Sequence, residues 1–174
     1  MALSGRERVK ILGMSISTFT VLHTIISLIG IAAGIVAVFG MLSGKKLNGW
    51  TTLFLLSTIL TSVTGFFFPF GKVLPSHIVG GISLVVLAVV LYALYGKRLA
   101  GAWRWIYVAG AVLALYLNSF VGFVQAFQKL AFLRPLAPTQ SEPPFLVAQT
   151  LLLVIAIVVG IAAAKRFHPQ ASPA

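Results

Sequence analysis

His23 and His77 have the widest chemical reach in this chain, because each stands in or beside a long apolar run. In such surroundings a polar side chain is costly and turns toward a partner or a wet cavity. Asn118, Gln125 and Gln149 lie in further apolar runs, and Glu142 precedes the last of them. Two facing imidazoles could hold the iron of a haem b axially, as in helix bundles that pass electrons to quinones. Two imidazoles with the Glu142 carboxylate could instead hold a divalent metal such as zinc with an open position, the basis of a metalloenzyme at a membrane face. A histidine beside amides could also bond a quinone or a lipid headgroup. Their spacing is diagnostic of none of these. The structural alternative is that each histidine sits at the interface or bonds a backbone carbonyl, and that Glu142 is solvated or pairs with Arg134.

The elements that must position these groups are five apolar runs: Phe19 to Leu42, Trp50 to Phe70, Pro75 to Tyr95, Trp103 to Phe127 and Phe145 to Ala164. Each is continuous, without the alternation of a membrane barrel, and long enough to span a bilayer as a helix at about 1.5 Å per residue. The expectation is an all-α integral membrane bundle of five transmembrane helices. The links SGKKLNG, FGKVLPS and GKRLAG are short, which makes consecutive helices antiparallel neighbours. The last link, KLAFLRPLAPTQSEPP, has four prolines, so it belongs outside the hydrocarbon. The domain reading is a basic segment over 1–18, one helical domain over 19–166 and a short polar tail over 167–174.

Within the runs, small and hydroxylated residues recur at helical steps. Thr20, His23, Ser27, Gly30 and Gly34 form one stripe, and Ser57, Thr61 and Thr64 form another. Such stripes are the seams along which membrane helices approach closely. With antiparallel helices, His23, His77, Asn118, Gln125, Gln149 and Glu142 are expected to converge toward one end.

The charges set an orientation. The chain has 13 Lys and Arg against 2 acidic residues, a formal +11, but the cations sit in small groups between runs rather than in one patch. That distribution excludes a nucleic-acid surface and fits membrane flanks. Lys45, Lys46, Lys97, Arg98, Arg104, Lys165 and Arg166 share one side, whereas Lys72, Lys129 and Arg134 share the other. The first side is expected in the cytoplasm, placing the N-terminus outside and the C-terminus inside. Trp50, Trp103, Trp105, Tyr92, Tyr95 and Tyr107 fall at the same boundary and read as interfacial anchors. Arg6, Arg8 and Lys10 oppose this bias; either they lie in an interfacial helix or translation starts at Met14 rather than Met1.

Only 9% of residues are charged and 59% are hydrophobic, against roughly a quarter charged in a soluble domain. The lack of cysteine excludes disulfides, thiolate metal sites and thiol redox chemistry. No charge within a span and no broken helix speaks for a pump or channel. The segments TSVTGFFFPF, LPSHIVG, LAGAWRWIYV and LAPTQSEPPFLVAQ resemble a group of small bacterial multi-helix inner-membrane proteins with no established activity. That resemblance implies the same topology and a bacterial inner-membrane location. The functional expectation is a non-enzymatic component binding a hydrophobic small molecule, lipid or partner helix at its outer polar cluster, alone or as a homo-oligomer. The alternatives are a redox protein using His23 and His77 with haem or quinone, and an outer-face metalloenzyme.

Overall fold

The computed structural model describes residues 10–68 and 75–168. It contains five helices: α1 Ile16–Leu42, α2 Asn48–Gly65, α3 Pro75–Leu91, α4 Trp103–Lys129 and α5 Pro143–Arg166. α3 runs on into a π-turn over Tyr92–Gly96, whose wider pitch shows in the 2.9 Å bond from the Lys97 amide to the Tyr92 carbonyl. α1 and α4, at 27 residues each, are about 40 Å long and overreach a hydrocarbon core of about 30 Å.

Four of the five helices are long and apolar enough to cross a membrane; α2 is not among them. The reason is its content of hydroxyls. Thr51, Ser57, Thr58 and Ser62 lower its hydropathy, yet all four are buried against other helices. The five equivalent spans read from the sequence therefore become four strongly apolar helices and a fifth with a polar inner face.

α1 packs on α2, α2 on α3, α3 on α4 and α4 back on α1, closing a ring. α5 lies outside that ring, against α4 and α1. Its most apolar window has the highest hydropathy of the four apolar helices but is only 11% buried, against 39% in α1 and α4. Val147, Leu151, Val154, Ile155, Val158 and Ile161 all lie exposed along it. An apolar surface of this extent has no place in water and marks a surface meant for another apolar medium.

Small residues set the closest approaches. Gly30, Ala33, Gly34 and Ala37 form the buried stripe of α1, and a Cβ on Gly34 would come within 2.8 Å of both Phe54 and Leu115. Gly110 does the same for α4 on α3, where a Cβ would stand 2.5 Å from Val90. The seam read from the Gly30 and Gly34 spacing is thus where α1 enters the groove between α2 and α4.

The bundle is chemically lopsided. Its main apolar core gathers Val38, Met41, Phe54, Leu87, Tyr107 and Val108, from the C-terminal halves of α1 and α3 and the N-terminal halves of α2 and α4. That half adjoins the basic loops. Phe167, just past α5, is fully buried there with its ring 5.7 Å from that of Tyr107. The segment read as a polar tail thus begins with a core residue, and Tyr107, read as an interfacial anchor, is itself fully buried. The other residues read as anchors, Trp50, Tyr92, Tyr95, Trp103 and Trp105, are exposed or half-buried, and three meet cations: Lys97 lies 5.6 Å from the Tyr92 ring and 5.9 Å from Trp103, and Arg104 lies 5.1 Å from Trp105.

Lys10–Ile11 and Met14–Ser15 pair as a minimal hairpin turned by Leu12 and Gly13, both at positive φ. These residues are therefore not an interfacial helix. Ser15 caps α1 by accepting from the Thr18 amide at 3.2 Å, so the helix starts at Ile16, ahead of the apolar run. Arg6 and Arg8 lie outside the described residues.

Candidate functional site

In the half of the bundle away from the basic loops, the contacts of His23, Asn118 and Gln149 join different pairs of helices. His23, two turns into α1, bonds through Nδ1 to the Thr64 hydroxyl at 2.8 Å. That hydroxyl gives its one proton to the Leu60 carbonyl at 2.6 Å, so it accepts from the imidazole N–H. The ring is thus held through Nδ1, with Nε2 as its remaining nitrogen. The ring also meets Phe68 edge-on at 5.2 Å.

His77, buried in the first turns of α3, packs instead on Phe66 at 5.7 Å between ring centroids. The two imidazoles thus stand against different rings of the Phe66, Phe67, Phe68 run. Glu142 belongs to neither. It precedes α5, where its carboxylate accepts from the Thr139 hydroxyl at 2.8 Å and from the Thr139 and Ser141 amides at 3.1 Å each. Desolvation raises its carboxyl, but these bonds outweigh that and hold it below the usual carboxylate range. Among the described residues no three His, Asp or Glu side chains come together as a metal site, which removes the His23, His77 and Glu142 set. The physical reason is local: Glu142 is consumed by its own turn, with Thr139 and Ser141 in place of Arg134.

Asn118 marks the inner limit of the polar half. Its amide faces α1, where the Ser27 hydroxyl donates to Oδ1 at 3.0 Å and Nδ2 reaches the Ser27 carbonyl at 3.4 Å. A Cβ on Gly30 would stand 3.1 Å from Asn118 Nδ2 and Ser57 Oγ and 3.2 Å from Thr58 Oγ1. The absence of that Cβ lets three helices bring polar groups together. The hydroxyls of Thr58 and Thr61 are buried beside this junction without a hydrogen-bond partner among the described residues. Gln125, half-buried, is two turns further along α4. Gln149 on α5 is buried and donates to the Phe120 carbonyl at 3.3 Å, while its Oε1 has no partner among the described residues. Of the polar residues expected to converge, the structure therefore ties Asn118 to α1, Gln149 to α4 and His23 to α2, each serving a different helix pair.

Two open spaces lie on either side of α5. A groove of about 510 Å³ runs between α4 and α5, floored by Ala109, Val112, Leu113 and Gly160, with Trp105 and Lys165 at its basic end. A second, of about 240 Å³, lies between α5 and α1 and is lined by Val38, Phe39, Leu115, Leu152 and Ile155. The larger falls within the roughly 300–1,000 Å³ of small-molecule sites. Sequence reasoning missed both, although Ala109, Ala156, Gly160 and Ala164 form a small-residue pattern on the two facing helices that signals a shallow trough. No protein-family model matches the sequence, and no curated protein and no solved structure matches it either.

Proposed function

We propose that this chain is a non-enzymatic, multi-pass component of a bacterial inner membrane that binds an apolar membrane molecule in the groove between α4 and α5. In this reading all five helices span, with the N-terminus outside and the basic, aromatic end at the cytoplasmic face. The observation that carries the reading is the combination of a highly apolar α5 with its sparse burial and the trough beside it. In a bilayer, apolar contact alone does not draw α5 onto the ring, because lipid tails are as apolar as its side chains. A helix left so loosely packed keeps a surface for lipid chains or another hydrophobic ligand. Filling the trough tests this: Ile157→Phe, from its exposed rim, should lower the phospholipid that stays bound to detergent-purified protein. Equal lipid retention in wild type and Ile157→Phe contradicts it.

A second reading rests on one contact. The Thr64 anchor holds His23 through Nδ1 and leaves Nε2 as the nitrogen that could meet a ligand, the arrangement that ligating or quinone-bonding imidazoles use. Purification after haem supplementation separates the two: a Soret band that disappears in His23→Ala supports a redox protein, and a colourless protein opposes it.

A further inference from the structure

We infer that the trough between α4 and α5 selects an anionic phospholipid, with an acyl chain along Ala109, Leu113 and Gly160 and the headgroup held by Lys165. This rests on the groove reading above and adds the ligand's charge.

The apolar floor by itself accepts any acyl chain, so selectivity has to come from the mouth. There the groove is closed by Trp105 and Lys165, and the Arg104 guanidinium stands over the Trp105 ring at 5.1 Å. Lys165 is exposed at the end of α5, where its chain can lie along apolar surface while the ammonium reaches the headgroup level. The chain has only two acidic residues, Glu7 and Glu142. Glu142 is bound by its own turn at the opposite end, and Glu7 lies outside the described residues. Among the described residues, then, the basic end holds no carboxylate to neutralise its cations. Basic pockets between membrane helices at a cytoplasmic face take anionic headgroups for this reason, and each Lys or Arg near the surface favours them about fivefold.

From Trp105 to Tyr116 the α4 wall of the trough is about 16 Å long. A chain entering at the headgroup level therefore lies in it down to mid-bilayer. Gly160 deepens the floor at its middle, since a Cβ there would already touch Val112 at 3.4 Å.

Trp105 is a built-in reporter. The full-length chain carrying Trp50→Phe and Trp103→Phe, reconstituted in vesicles, leaves it as the only indole. Phosphatidylglycerol brominated near the glycerol end of its chains should quench Trp105 at about fivefold lower mole fraction than phosphatidylcholine brominated at the same place. Lys165→Gln should abolish that preference and Lys165→Arg keep it. Lys97→Gln, at the same end but outside the trough, should leave it intact. Equal quenching by the two lipids overturns the inference, as does a loss in Lys97→Gln as large as in Lys165→Gln, which would reduce the preference to diffuse attraction. Ile157→Phe keeps the two proposals apart. If it lowers quenching by both lipids while no charge preference exists, the groove reading stands and the anionic headgroup falls; if it changes neither, the groove reading itself fails.

Discussion

Asn118 on α4 and Ser27 on α1 hold each other twice, through hydroxyl to amide oxygen and through amide nitrogen to backbone carbonyl. The pair sits beside Gly30, where α1, α2 and α4 meet in the polar half of the bundle. Asn118 thus works as a clamp between helices of the ring, and the groove beside α5 is left to the outside of that ring.

Removing the clamp should destabilise the bundle modestly. Hydrogen bonds between membrane helices are worth on average about 0.6 kcal/mol and at most about 1.7, so Asn118→Ala should cost about 1 kcal/mol in detergent unfolding. Gly30→Ala should cost about 1–3 kcal/mol through overpacking, because its Cβ would meet three polar atoms at 3.1–3.2 Å. The double variant should cost less than the sum, since losing the Asn118 amide makes room for the new methyl. Strict additivity would separate the two residues energetically.

Phe167 should matter far more than its place in the sequence suggests. Its ring is fully buried on Tyr107 at the basic end. Phe167→Ala should cost about 3 kcal/mol, the scale of a deleted core aromatic, in the same unfolding measurement. A change within about 0.5 kcal/mol, typical of surface sites, would place Phe167 outside the core.

The turn before α5 should loosen in acid. The Glu142 carboxyl is held below its usual range by Thr139 and Ser141. Its contribution is therefore fully present above the unfolded carboxylate pKa and is lost as pH falls through the lower, folded value. Amide exchange at Thr139 and Ser141, corrected for its intrinsic pH dependence, should accelerate across that window. Glu142→Gln should remove the pH dependence, and an unchanged profile in that variant would assign it to another group.

Orientation is testable with reporter fusions. Alkaline phosphatase joined after Glu142 should be active and joined after Lys46 inactive, as the distribution of Lys and Arg demands. The reverse pattern would put the basic, aromatic end outside.

The helical architecture was legible because continuous apolar runs and the spacing of Gly30 and Gly34 depend only on local period. The polar half was less so. Period places Asn118, Gln125 and His23 on inward faces but not at a common depth, and it cannot show that Thr64 takes His23 while Ser27 takes Asn118. The histidines look adjacent by topology, yet Phe66 and Phe68 each claim one ring. α2 illustrates a different limit: hydropathy counts its hydroxyls against a span although Thr51, Ser57, Thr58 and Ser62 face inward. Phe167 follows the last helical residues and reads as tail, because nothing in sequence reveals that its ring packs on Tyr107. The trough was hidden for a similar reason, since it arises from how α5 sits on the ring rather than from any one helix.

The most direct measurement places a photo-activated benzophenone side chain at Ile157, on the rim of the trough, and in a second variant at Val85, on the exposed face of α3. After detergent purification and illumination, the Ile157 position should still capture a phospholipid and the Val85 position only detergent. Detergent adducts alone at both positions, or capture of another polypeptide at Ile157, would contradict a lipid-binding groove between α4 and α5.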